Sequence, residues 1–268
     1  MDGKSRDDSV EIIRHYEGCV THWCSEPDGG QADAINKGFA LATGDILAFI
    51  NSDDWYQPGA FAAVAGFFTA NSGLDWLIAG VDNCDEQGNV CDHYIPFETS
   101  FLDCLGRQNY GFHQPGMFWS RDMIERVGPF DTRLSHAFDH EFWCRALFAG
   151  VRPLCVSVPV AFFRRHESSK TGSDPWQFRV ESWQVYDCFR DRLSRADRRK
   201  VKSDLRRWQV VGFARTVYTA LRSRGRMRAL RILAHYVYLI PRIRPRKMFW
   251  GALLRILTTG RPPAWFNQ

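Results

Sequence analysis

The 268-residue sequence has no apolar run near the roughly 20 residues that span a bilayer; its longest, around residues 230–240 and 248–257, are shorter and carry His or Arg. There is no CxxC pair among the eight scattered cysteines. Buried thiols in a reducing compartment are therefore expected, rather than disulfides or zinc ligands. The opening MDGKSRDD is charged and polar, which predicts no secretory leader and a cytoplasmic location. There is no internal repeat and no low-complexity tract, which excludes solenoids and disordered linkers as the main architecture. Finally, no acidic residue follows Asp204.

Hydrophobic residues make up 45% of the chain and aromatics 14%, enough for one sizeable core and a smaller appendage. The formal net charge of +5 conceals a division. Residues 1–173 carry 13 Lys+Arg against 24 Asp+Glu, and residues 174–268 carry 22 against 6. A shift from −11 to +16 predicts two units with different partners, 1–173 and 174–268. The acidic unit suits a metal ion, the basic one a polyanion or an anionic membrane.

Residues 1–173 alternate in type. Residues 10–16 read as a helix, 19–23 as a strand, and the turn Glu26-Pro27-Asp28-Gly29-Gly30 leads into a helix over 31–42. ILAFI, residues 46–50, is a continuous apolar run, as expected of a strand buried on both faces. Pro58 opens a helix through Phe68; strands at 75–81 and 90–95 flank a turn over 85–89. Helices over 120–127 and about 137–149 precede a strand at 154–163. This alternation predicts an α/β fold, an open sheet flanked by helices. After Pro175 the pattern is helical only, over 178–193, 198–222, 227–240 and 247–258.

Asn51-Ser52-Asp53-Asp54 follows the apolar run directly. In open α/β sheets ligands bind at the carboxyl ends of strands. Two adjacent carboxylates repel unless a cation or a set of donors lies between them, and a hard divalent ion takes one or two carboxylates plus substrate phosphates. An isolated Asp-Asp pair reads first as a helix cap or an Asx turn. Its surroundings change that reading.

The run SEPDGGQADAINKGFALATGDILAFINSDDWYQPGAF, residues 25–61, closely resembles the donor-binding region of family 2 glycosyltransferases of GT-A fold. The likeness continues through His113-Gln114-Pro115-Gly116-Met117-Phe118-Trp119, Val127-Gly128-Pro129-Phe130-Asp131, Asp139-His140-Glu141-Phe142-Trp143-Cys144-Arg145 and Phe163-Arg164-Arg165-His166. Upstream, Asp2-Gly3-Lys4-Ser5-Arg6-Asp7 resembles the family's Asp-Gly-x-Ser-Thr-Asp loop. The resemblance implies a GT-A-type open mixed sheet flanked by helices. It implies a nucleotide-diphosphate sugar donor and Mn²⁺ or Mg²⁺ as cofactor. It implies Asp2 and Asp28 at the nucleotide, Asp53 at the ribose and Asp54 on the metal. Asn36 either faces the donor or belongs to a solvated helix face, as does Lys37. Asp139 resembles the catalytic base of an inverting transfer; Glu141, about 200° away around the helix, takes another task. His166 is implied as a metal ligand or a diphosphate contact. The family normally has another strand and helix before the Asp2 loop, so the resemblance also implies an N-terminally shortened donor site and weak donor binding.

Residues 205–268 carry 14 Lys+Arg and no acid, interleaved with aromatics. Basic amphipathic helices of this kind suit a membrane surface and hence a lipid-linked acceptor, or they pack on the catalytic unit with solvated arginines. No nucleic-acid reader motif is present. The function expected is sugar transfer to a glycan or lipid-linked acceptor in cell-surface polysaccharide synthesis. The alternatives are a sugar-nucleotidyltransferase, disfavoured because Gly29-Gly30 is followed by no basic residue, and an inactive nucleotide-sugar-binding or membrane-surface protein.

Overall fold

The computed structural model describes residues 1–107, 111–166 and 175–225, with isolated positions at 227, 229–231, 234, 251, 254 and 258. Apart from those positions, the helices expected over 227–240 and 247–258 lie outside the described residues, as does the loop after His166. Two compact units divide the chain: Met1–Leu105 with Asn109–Cys188, and Gly106–Gln108 with Phe189–Gln268.

The first unit is built on one mixed sheet. Its strands are β1 (Ile46–Leu47), β2 (Trp55–Tyr56), β3 (Trp76–Cys84), β4 (Val90–Tyr94), β5 (Met117–Ser120) and β6 (Leu154–Arg164). They lie in the order β1-β5-β3-β6-β2, with β4 also on β3. β3 and β6 run parallel and the other pairs antiparallel. All nine residues of β3 are buried, which its apolar WLIAGV half predicts for a central strand. β3 and β4 form the expected hairpin, closed where the Asp85 carboxylate accepts from the Asn89 and Gln87 backbone N–H groups.

Helices flank the sheet: α1 (Ser9–His15), α2 (Gln31–Leu41), α3 (Ala60–Ala70), α4 (Phe101–Gly106), α5 (Arg121–Val127), α6 (Phe138–Phe148) and α7 (Pro175–Phe189). Ala60 and Val64 of α3 pack in one cluster with Leu77, Ala79, Phe118, Val160 and Ala161 of the sheet. A second, aromatic cluster includes Trp119 of β5 and Phe142 of α6, with ring centroids 5.7 Å apart, and Phe130, 4.6 Å from Phe142. Each fully buried ring or leucine contributes on the order of 2 kcal/mol. Ser120 ends β5 and starts α5, its hydroxyl accepting from the Met123 N–H at 3.0 Å.

Three expectations need correction. Residues 19–23 form no strand; Glu17–Cys19 is a 3₁₀ turn, and Ser25 makes an isolated bridge to Asp2. The ILAFI run is laddered only at Ile46–Leu47, and of its five residues Leu47 alone is fully buried. Its apolarity serves ring packing instead: Phe49 lies 6.1 Å from Trp119 and 5.7 Å from Phe130. Strands β2 and β5 were not anticipated, being two and four residues long.

In the second unit a long helix, α8 (Arg195–Arg224), starts at Ser194, whose hydroxyl accepts from the Asp197 N–H at 3.1 Å. Val201, Leu205, Phe213 and Val217 share one buried stripe at multiples of four residues. Among the described residues no helix is long and apolar enough to cross a membrane.

Candidate active site

All seven acceptor, donor and metal candidates of the sequence fall in the first unit. Asp54 is 8% exposed. Its Oδ1 accepts from the Arg164 backbone N–H at 3.0 Å and its Oδ2 from Asn51 Nδ2 at 3.2 Å. Burial, then the neighbouring Asp53 charge, push its carboxyl up to about 6 despite those donors. The Arg164 guanidinium lies 4.9 Å over the Trp55 ring, which stacks on Phe162. Asp53 is more open, and its Oδ2 meets His166 Nε2 at 2.8 Å. The structure thus joins His166 directly to Asp53, one residue from Asp54.

A buried carboxylate whose ionised form burial disfavours, beside a second one, fits a divalent cation, because an oxygen-bound ion would offset that charge. The residues available to hold it are Asp54, Asp53 and His166. A different group, Cys104, His140 and Cys144, has one ligand atom from each within 4.8 Å of the others. Its thiols are 3.6 Å apart, and His140 Nε2 faces the Cys104 carbonyl at 2.8 Å. A closed zinc site takes four ligands, and this buried group supplies three.

The Asp2 and Asp28 loops meet. Asp2 bridges to Ser25, its N–H donating to Cys24 O and its carbonyl accepting from Glu26 N–H. Hydroxyls of Ser25 and Ser5 donate to its carboxylate and hold it below the usual carboxylate range. Gly3 lets the two loops approach: a Cβ there would sit 2.7 Å from Asp28 Oδ2 and displace that carboxylate. Asp28 Oδ1 in turn accepts from the Gly30 N–H at 2.9 Å, ordering the turn into α2.

Helix α2 links these loops to the rest. Gln31, its first residue, donates to Asn51 Oδ1 at 2.7 Å, and Asn51 donates to Asp54. Gln114 donates to the Phe49 carbonyl at 2.7 Å, and its Oε1 lies 3.4 Å from Asn51 Nδ2. The 3₁₀ turn Gln114–Gly116 can lie against β3 only because residue 116 has no side chain; a Cβ would be 2.3 Å from Ala79 O. Asn36 spends both ends of its amide on the Phe130 main chain, donating to the carbonyl and accepting from the N–H, each at 2.9 Å. Lys37 pairs with Glu26 and Asp33 on the outer side.

Asp139 is the second residue of α6 and is half-buried, its Oδ1 accepting from the His140 N–H at 2.6 Å. The ring of Phe138 beside it lies 6.4 Å from Phe49, so the start of α6 adjoins the end of the ILAFI run. Glu141 is turned away into a buried pair with Arg145, 2.8 Å away, whose guanidinium also donates to the carbonyls of Val127 and Pro129. The sequence did not single out Glu181 of α7. It is 2% exposed and receives the backbone N–H groups of Ser135, His136 and Ala137, the Ser135 hydroxyl and Gln177 Nε2. Burial alone would raise its carboxyl, yet these donors hold it below the ordinary value. Its neighbours one turn away, Gln177, Phe178, Gln184 and Val185, are mixed in character, so the sequence carries no signal for it.

A mixed sheet of this order, with paired carboxylates directly before the short strand β2 rather than at the end of the ILAFI run, defines a GT-A-type glycosyltransferase fold. S. aureus TarS 1–349 in complex with UDP-GlcNAc shares it at a TM-score of 0.57 and 17% identity, over 77% of this chain and 61% of that one. The mannosyltransferase PcManGT from Pyrobaculum calidifontis, in complex with GDP-Man and Mn²⁺, matches at 0.51 and 17%, over 96% and 76%. An uncharacterized glycosyltransferase of Mycobacterium tuberculosis H37Rv is 33% identical over 148 residues, 54% of this chain and 55% of its own. A PGL/p-HBAD biosynthesis glycosyltransferase of Mycobacterium bovis BCG is 28% identical over 155 residues, 53% of this chain and 54% of its own. The chain spans about half the length of the curated relatives it matches. Residues 1–128, just under half of the chain, match the model of Glycosyl transferase family 2.

Proposed function

We propose that this chain moves a sugar, with inversion, from a nucleoside diphosphate donor to a hydroxyl of a glycan or lipid-linked acceptor in cell-surface polysaccharide synthesis. One observation carries this reading: acids from separate segments are tied into a single frame through α2. Gln31 reaches the Asp54 turn, Asn36 reaches Phe130, and Phe130 packs 5.5 Å from Phe138, next to Asp139.

Asp2 and Asp28 face the nucleotide base and Asp53 the ribose. Asp54 would hold a divalent cation, Mn²⁺ or Mg²⁺, with His166 as a further ligand or a diphosphate contact, and that cation would supply positive charge to offset the leaving diphosphate. The Mn²⁺ in the mannosyltransferase complex supports that choice. Asp139 takes the proton of the acceptor hydroxyl as its oxygen bonds to the anomeric carbon and the bond to the diphosphate breaks. Glu141 is committed to Arg145, which leaves Asp139 as the carboxylate for this task. Asn36 acts through Phe130. The basic residues after 173 favour an anionic membrane bearing the acceptor, and flotation with anionic liposomes at low salt tests that.

The decisive experiment is Asp139→Asn. Transfer should fall by about 10³-fold, within the range of a lost general base, while nucleoside diphosphate binding is retained. Undiminished transfer would remove Asp139 from the mechanism.

A further inference from the structure

The turn that leads into α6 lacks a local cap. Ala137 occupies the N-cap position, and its side chain has no acceptor to offer the orphan N–H groups of the helix start. The turn just before the helix, Ser135–Ala137, is held instead by a carboxylate from another helix. Oε1 of Glu181 receives Ser135 N–H at 3.1 Å, Ser135 Oγ at 2.7 Å and Gln177 Nε2 at 3.1 Å. Oε2 receives His136 N–H at 2.8 Å and Ala137 N–H at 2.7 Å. The His136 ring is fixed as well, 5.1 Å from Phe178 of α7 and edge-on to it.

Three consecutive backbone N–H groups converging on one buried carboxylate make a rigid anion nest, and its anion is part of the chain itself. The nest ends two residues before Asp139. We propose that Glu181 is a positioning residue for the transfer: it fixes the start of α6 and so aims the Asp139 carboxylate at the acceptor hydroxyl. This inference rests on the reading of Asp139 as the base. It assigns to α7 a task that no motif of the chain carries.

The chemistry requires a carboxylate of this length. A carboxylate is acceptor-only, with about four lone-pair positions, and here both oxygens face donors. Glu181→Gln sets an NH₂ group against N–H groups at one end. Glu181→Asp cannot span the same gap.

The test measures kcat, donor KM and nucleotide affinity for Glu181→Gln, Asp139→Asn and the double variant, each normalised to folded protein. Misplacement of a reacting group by about 1 Å costs about 10²-fold, so Glu181→Gln should lower kcat by about that factor with nucleotide affinity unchanged. Because Glu181 acts through Asp139, adding Glu181→Gln to Asp139→Asn should change the residual rate by less than about 2-fold. Multiplying losses in the double variant, or an unchanged kcat for Glu181→Gln, would overturn the inference. Should Glu181→Gln fail to fold, Ser135→Ala removes one donor and keeps the charge; a drop of about 5-fold in kcat alone is then expected, and none would count against it. Full activity of Asp139→Asn would refute the underlying reading of the base instead, and the inference with it.

Discussion

Asp54 should weaken the metal-free protein, and its replacement by Asn should strengthen it. The carboxyl is raised from 3.8 to about 6, chiefly by burial. A raised acid favours the folded state while protonated and opposes it once ionised. As pH rises past 3.8 the unfolded chain ionises first, so the penalty starts there, grows until about 6, and is constant above. Its full size is about 3 kcal/mol, from the gap between the two values. Asn removes the penalty but sets its own NH₂ against Asn51 Nδ2, at a cost of about 1 kcal/mol. The net gain near neutral pH is about 2 kcal/mol.

The pH dependence is the sharper measure, because the lost hydrogen bond cancels. Between about pH 4.5 and about pH 7.5 the stability of Asp54→Asn over the native chain should rise by about 2 kcal/mol. Urea unfolding of chelator-treated protein at both values provides the comparison. Mn²⁺ should then raise the midpoint of the native chain and leave that of the variant nearly unmoved. A stability difference that is flat with pH, or that favours Asp at neutral pH without metal, would refute the account of Asp54 as a buried acid awaiting a cation.

Asn36→Ala should cost about 2 kcal/mol in unfolding free energy by stranding the Phe130 N–H and carbonyl, with nucleotide affinity unaltered; a lost affinity at unchanged stability would return Asn36 to the donor. Gly116→Ala should destabilise by about 3 kcal/mol, since the new Cβ meets Ala79 O at 2.3 Å and backbone must move; an unchanged urea midpoint would contradict this. Arg145→Ala leaves Glu141 buried without its cation and frees two carbonyls, so a loss of about 3 kcal/mol is expected by thermal or urea unfolding.

Legibility in the sequence followed the range of the interaction. The helices at 31–41 and 121–127 are set by local features: Gly30 at φ 109° ahead of one, the Ser120 hydroxyl ahead of the other. Such features lie within a few residues, and the sequence displays them. ILAFI misled because apolarity does not say which partner uses it. A strand buried on both sides and an aromatic seam through Phe49 have the same composition. The two-residue strand β2 has no period to detect, and it exists because β6 offers it Phe162 and Ala161 as partners.

The same distinction runs through the site. Asp53, Asp54 and Asp139 are legible because the segments around them resemble a family's motifs, although an Asp-Asp pair alone reads first as a cap or a turn. What holds them is not: Asn36 to Phe130 spans 94 positions and Glu181 to Ala137 spans 44, each a side chain bonded to main chain. A main-chain partner has no residue type, so nothing at position 130 or 137 announces the bond. A site read from one sequence therefore yields its reactive groups before their supports. Asn36 shows the same limit: in the sequence it either faces the donor or lies on a solvated helix face, and only the structure shows both ends of its amide on the Phe130 main chain. The buried polar residues whose partners are backbone are thus where the precision of this site resides, and Glu181 carries the largest share, with five donors on one carboxylate.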